Sequence, residues 1–384
     1  MMAFVTFCIS REYENNTVFF GYQDYHIVNA NATWMKAGPA YDMQTFDSAD
    51  RPPSDLKITE SPRSVKTGQA TLWGAFELSY ASSGPQLSDR SSVKMRIACL
   101  QFAPVVGDVD NNLNRADAVL QRADPDDLDS LDLLVVPEMA FSDSEKPFLE
   151  YAGSGISSLW ARTLSLKHNC HVVVGYPEKV DVSHKWPTSP EYYNSAIIVN
   201  NEGETIGNYR KHFLYMIDET WALEGAGFGK EFIPGLGQTA MGICMDINPY
   251  KFEAPWHAFE FAFHVLEVRA NLVILSMAWL TREDAGTFTS MPDEPDMETL
   301  AYWVQRMEPL IRAETTEEII VVFCNRCGIE DETVYAGTSA VIGIKQGEVN
   351  VYGILGRCEK NLLIVDTDSK PLGKLVNQSE TGKE

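Results

Sequence analysis

Three apolar runs in this sequence stop at a reactive side chain: LDLLVVPE at Glu138, IGNYRK at Lys211 and MGIC at Cys244. A thiol becomes a strong nucleophile once its proton is removed, a carboxylate can remove it, and an ammonium can hold the negative charge that develops on an attacked oxygen. Strand ends gather at one edge of a sheet, so residues far apart in the chain can meet there. Singly these positions are ordinary, because a Glu or Lys after a strand is usually a solvated end and a Cys after an apolar run is usually inert core. Together they point to nucleophilic catalysis by the thiol. Glu178 follows HVVVGYP in the same manner and is a rival for the carboxylate.

The elements that must carry these ends are read from hydrophobic period. MRIACLQFAP alternates and then fills with apolar residues, as a buried strand does, and the stretch from Asn111 to Ala123 puts Leu113, Ala116, Val119 and Leu120 on one helical face. Leu131 to Val136 is the next strand, stopped by Pro137, and a helix around Ile156 to Lys167 leads to a strand from His171 to Val174. YYNSAIIVN and ETIGNYR, joined by Asn201-Glu202-Gly203, read as a hairpin. After the short strand that ends at Cys244, Phe252, Trp256, Phe259 and Phe263 recur at helical spacing and are expected in the core of one helix. The apolar strand NLVILSMAWL follows, then a helix stacking Leu300, Val304, Met307 and Ile311, and the strands EIIVVFC, TSAVIGI, VNVYGIL and NLLIVD. Alternating units with a β-rich end predict a layered α/β sandwich with helices outside the sheets. The domain is expected over residues 95–370. Residues 1–94, with Pro-, Ser- and Asp-rich stretches at 38–68 and 82–94, read as an extension without a domain of its own, and 371–384 as a polar tail.

Other chemistry is poorly supported. The chain has no G-x-S-x-G, H-E-x-x-H or G-x-x-x-x-G-K-[ST] motif, and the glycines from Gly225 to Gly229 lack the preceding strand of a dinucleotide site. Cys324 and Cys327 have metal-like spacing without a second ligand pair, and His168 and His171 are explained as a helix end and a strand residue, so no metal is expected. A formal net charge of -23 disfavours nucleic acid and anionic lipid and favours cationic ligands. No apolar run approaches the ~20 residues of a membrane span, and residues 1–10 make a poor signal peptide because no basic stretch precedes them. Seven cysteines without a regular framework suit a reducing compartment, expected to be the cytoplasm, with mitochondrial placement and a homo-oligomeric state left open.

Pro137-Glu138, Arg210-Lys211 and Gly242-Ile243-Cys244-Met245-Asp246, in this order, resemble the Glu, Lys, Cys pattern of the nitrilase (carbon–nitrogen hydrolase) superfamily, and the resemblance runs from Met95 to about Asp366. Within it, KHFLYMIDETW, GICMDINPYKFEAPW and LSMAWL are similar to the eukaryotic, chiefly fungal, branch that deamidates N-terminal asparagine and glutamine. The resemblance implies a four-layer αββα sandwich, catalytic Glu138, Lys211 and Cys244, and a second carboxylate after the lysine. Glu219 matches that carboxylate, with Asp218 as its neighbour. It further implies a thioester intermediate, no cofactor, protein or peptide N-termini bearing Asn or Gln as partners, and a place in the N-degron pathway. The rivals are a small-molecule carbon–nitrogen hydrolase of the omega-amidase or carbamoylase type and a non-catalytic scaffold of the same fold.

On that reading Glu138 takes the thiol proton, passes it to the leaving ammonia and then activates water, while Lys211 and the backbone N–H of Met245 hold the oxyanion. Glu219 orients the lysine. Asp246 or Asp218 is expected to receive the substrate α-ammonium, the alternative for Asp246 being a carboxylate that complements a helix start. Trp279 either walls the pocket or packs in the core.

Overall fold

Along β1 (Arg96–Gln101), Ile97 and Cys99 face one apolar layer while Ala98 and Leu100 face another. That period of two, repeated in strand after strand, generates the architecture. The computed structural model describes residues 94–142, 148–185 and 187–377, with the backbone of four short strands, Thr6–Phe7, Ser10–Arg11, Thr17–Gly21 and Val28–Asn29. Apart from those strands and Lys94, the expectations for residues 1–94 lie outside the described residues, as do 378–384.

The first sheet continues with β2 (Leu133–Val135), β3 (His171–Val180), β4 (Glu191–Val199) and β5 (Thr205–Arg210). The second contains β6 (Gly229–Ile233), β7 (Gly237–Ile243), β8 (Leu272–Met277), β9 (Ile319–Asn325), β10 (Ala340–Lys345) and β11 (Glu348–Ile354). β12 (Asn361–Asp366) crosses back to the first sheet, whose order is β12-β1-β2-β3-β4-β5. β13 (Gly373–Asn377) adds to the second beside β11, so the sheet runs beyond the expected boundary at residue 370.

Three buried layers separate four layers of structure. Between the sheets lie Ile97, Cys99, Val135, Val173 and Ile198 from one side and Met241, Ile243, Ile274, Val322 and Val341 from the other. Ala98, Leu100, Leu134, Val172 and Val174 point outward onto α1 (Val109–Leu120) and α2 (Ile156–His168), through Ala116, Val119, Trp160 and Leu164. The outer face of the second sheet, with Val273, Leu275, Val321 and Phe323, is covered by α3 (Glu260–Glu267) and α4 (Met297–Arg306) through Phe261, Val265, Leu300, Trp303 and Val304. This is the αββα sandwich. Ser276 Oγ donates to Val136 O at 2.9 Å and Cys324 Sγ to Val135 O at 3.1 Å, tying the sheets together close to the strand ends.

Two expectations are corrected. Phe252, Trp256, Phe259 and Phe263 do not share one helix: Tyr250–Phe252 and Trp256–Ala258 are separate 3₁₀ turns, and α3 begins only at Glu260. Pro249 and Pro255 lack the amide a continuous helix needs, and Lys251, Phe252 and Phe259 are left-handed. Of the four, Phe259 is buried, whereas Phe252, Trp256 and Phe263 are exposed. The helix over Leu300 to Ile311 also breaks at Met307, where Pro309 opens a second short helix, Glu308–Arg312.

Candidate active site

Glu138 is held where the chain leaves β2. Val136 N donates to Val173 O and Ala140 N to Gly175 O, so the Pro137–Glu138 segment presses against β3. A Cβ on Gly175 would come within 2.6 Å of Glu138 Cα, and this is why the strand needs glycine at that point. Lys211 follows β5 directly, its amide donating to Asn194 O at 2.8 Å and its carbonyl accepting from Gly225 N at 2.8 Å. A Cβ on Gly225 would stand 2.1 Å from Arg210 O, so this loop also closes only over glycine.

Cys244 comes one residue after β7. The parallel register Ile243↔Ser276 brings it beside the end of β8, where the Ala278 N–H donates to its sulfur. Its φ of 41° is left-handed, a conformation that opposes Cβ and recurs where a turn must present one side chain. The 3₁₀ turn Cys244–Ile247 starts there.

The three expected groups meet. Lys211 Nζ donates to Glu138 Oε1 at 2.7 Å and to Asp218 Oδ2 at 2.6 Å, all three side chains being buried. Asn194 Nδ2 donates to Glu138 Oε1 at 2.7 Å and to Asp218 Oδ1 at 3.0 Å, bridging the two carboxylates on either side of the ammonium. Glu138 Oε2 is buried without a hydrogen-bond partner among the described residues, so one lone-pair-bearing oxygen is free for chemistry. Burial alone would lower the Lys211 pKa, but the charges of Asp218 and Glu138 outweigh it and hold the ammonium well above its ordinary value. The Cys244 thiol is pushed well above its ordinary value by burial first and by the Glu138 charge second, against the pull of Lys211 and the Ala278 N–H. A resting thiol of that kind needs a base as it attacks.

The other expected residues are placed differently. Glu219 is not at the lysine: it is half exposed and pairs with Lys251 at 3.3 Å. The 3₁₀ turn Asp218–Thr220 points Asp218 inward and Glu219 outward, so Asp218 takes the orienting position, further fixed by Tyr215 N at 3.0 Å. Replacing Asp218 by Asn is therefore expected to lower kcat by about 100-fold and to destabilise the fold by about 3 kcal/mol, because it removes one partner of a buried charge. Glu219→Gln should change kcat by less than about twofold, as exposed pairs contribute little. Ammonia release and denaturant melts of both variants check this.

Of the two expectations for Asp246, the carboxylate at a helix start holds, since it accepts from the Ile243 N–H that opens the turn, and the ammonium-binding one is corrected. Asp246 is fully buried, and its oxygens are taken up by Tyr209 Oη and by the backbone amides of His212, Phe213 and Ile243, so it does not receive a substrate ammonium. Met245 is buried within the same turn as Cys244. Trp279 is half-buried against Tyr302 and Trp303, ring centroids 5.4 and 6.0 Å away, so of the two expected roles the structure shows the packing one. Glu178 lies inside β3, bound by Arg210 Nη2 at 2.6 Å and Ser195 Oγ at 2.7 Å, and is outside the Lys211 cluster. Asn194 and the Ala278 N–H were not anticipated. A polar side chain inside the apolar run of β4 was the available signal for Asn194.

The carbon–nitrogen hydrolase profile matches residues 96–248, a span that contains Glu138, Lys211 and Cys244. The protein N-terminal amidase of Schizosaccharomyces pombe is 35% identical over 291 residues, covering 70% of this chain and 98% of that protein. The protein N-terminal amidase of Saccharomyces cerevisiae is 30% identical over 226 residues, and there the match covers 52% of this chain and 48% of the relative, so the chain spans about half of that protein's length. A crystal structure of an N-terminal amidase, 21% identical, superposes with a TM-score of 0.64 over 72% of this chain and 98% of the other. A relative matched almost end to end shows that the chain belongs to the carbon–nitrogen hydrolase family.

Proposed function

We propose that the protein hydrolyses the side-chain amide of an N-terminal asparagine or glutamine in a protein or peptide, yielding the carboxylic acid and ammonia. The observation that carries the chemistry is the Lys211 ammonium held between Glu138 and Asp218, with the Cys244 sulfur beside them and one Glu138 oxygen free. The N-terminal amidase of S. pombe, so similar over its full length, supports the substrate class.

The steps follow from the groups. Glu138 Oε2 takes the thiol proton as the sulfur attacks the amide carbon, and the oxyanion is held by Lys211 Nζ and the Met245 N–H. Glu138 returns the proton to nitrogen, the carbon–nitrogen bond breaks, and ammonia leaves behind a thioester on Cys244. Water, deprotonated by Glu138, adds to the thioester carbon. Collapse of that intermediate releases the acid and restores the thiol. The acidic surface, with a net charge of -23, favours approach of a free α-ammonium.

The deciding experiment measures ammonia release from Asn-initiated and Gln-initiated peptides, their N-acetylated forms, and free small amides. Release is expected from the unblocked peptides and none from the acetylated ones. Equal turnover of acetylated peptides or of small amides would instead assign the site to small-molecule hydrolysis.

A further inference from the structure

The carboxylate of Asp246 links the two segments that deliver opposite halves of the reaction site. Its Oδ2 accepts from Ile243 N at 2.7 Å, the residue before the nucleophile, and from Tyr209 Oη at 2.7 Å. Its Oδ1 accepts from Phe213 N at 2.7 Å and His212 N at 3.1 Å, immediately after Lys211. Four donors converge on one fully buried side chain that touches no reacting atom. Only an ionised carboxylate presents acceptors alone: an amide or a protonated acid would turn a hydrogen towards one of these donors.

We infer that Asp246 is a positioning residue of this reaction, clipping the Cys244 turn to the segment behind Lys211 so that thiol and ammonium stay in register during turnover. The inference rests on the amidase reading above and deepens it. The need for such a clip is plain in the backbone, since Cys244 sits in a left-handed conformation that L residues oppose, and the bond to Ile243 N adds to the β8 pairing in holding the strand end before that turn. Cys244 and Lys211 follow strands of different sheets, so no local element fixes their separation.

The clip is conditional on pH. Burial raises Asp246 to about 6, against the pull of the Phe213 amide, Tyr209, the Ile243 amide and the Lys211 charge. Below that value the carboxylate takes a proton, losing its charge and one acceptor site, so one of the four bonds must break or reverse. The groups around it are Tyr209 on β5, Lys211 and His212 behind β5, and Cys244 on its own turn. On α3, Glu260 is engaged by Tyr250 N and His264 by Gly229 O.

The test is kcat and KM against pH, with an Asn-initiated peptide, for the wild type, Asp246→Asn and Tyr209→Phe. In the wild type kcat is expected to fall as pH drops through about 6. Asp246→Asn should lower kcat by about 100-fold, the effect of misplacing reacting groups by about 1 Å, with KM changed less than about threefold and the inflection near 6 gone. Tyr209→Phe removes one donor that lowers the Asp246 pKa, so its inflection should move to higher pH while the protein stays folded. An Asp246→Asn enzyme with wild-type kcat, a loss carried by KM, or a Tyr209→Phe profile with an unmoved inflection overturns the inference. Absence of ammonia release by the wild type would count against the amidase reading instead. If Asp246→Asn does not fold, the direction of the Tyr209→Phe shift decides.

Discussion

Replacing Cys244 by Ala is expected to bring ammonia release from an Asn-initiated peptide down to background, a loss of about 10⁶-fold as for other nucleophile deletions. The fold should be barely affected. The side chain is half-buried, alanine fits the same backbone, and the left-handed φ opposes both residues alike. What is lost is the one group placed to form a covalent bond to the amide carbon, because Lys211 is a protonated ammonium held by Glu138 and Asp218 and Glu138 serves as the base. Mass spectrometry of wild type quenched in acid during turnover should show an adduct equal to the substrate minus ammonia, absent from the alanine variant. Retention of even a hundredth of wild-type turnover by Cys244→Ala would mean that a water attacks directly and the thioester scheme is wrong.

Glu138→Gln is the second large effect, a fall in kcat of about 10⁴-fold, the upper end for one acid–base group. The upper end is expected because a single carboxyl serves three proton transfers. The substitution keeps the shape, and the glutamine oxygen can still accept from Lys211, whose charge remains compensated by Asp218. A second readout has a definite sign. The Glu138 charge contributes to raising the Cys244 thiol, so removing it should move the pH at which iodoacetamide begins to alkylate Cys244 downward, while turnover is lost. A thiol made more ionisable and yet less productive would separate the base from the nucleophile. An upward shift, or a glutamine variant within tenfold of wild type, would remove Glu138 from the role of base.

Both predictions concern residues that were visible in the chain before any coordinates, and the reason is physical. Strands of a doubly covered sheet are apolar on both faces, so LDLLVVPE and NLVILSMAWL declare themselves, and a reactive residue at the stop of such a run lies at the sheet edge where sites form. The layered fold was legible for the same reason. The aromatic series from Phe252 to Phe263 misled because its spacing is helical while two prolines and three left-handed residues forbid the helix.

The amino-acid sequence by itself determined which chemistry is available here, a thiol, a carboxyl and an ammonium at three strand ends, and the order of strands and helices along the chain. Only the tertiary structure decided between Asp218 and Glu219, which are adjacent in the chain and yet face the buried lysine and the surface respectively. It also decided that Asp246 gathers amides from segments more than thirty residues away rather than a ligand. Period and composition report the local environment of a residue. The direction of a side chain within a turn, and the donors that meet it, depend on how distant strands settle against one another.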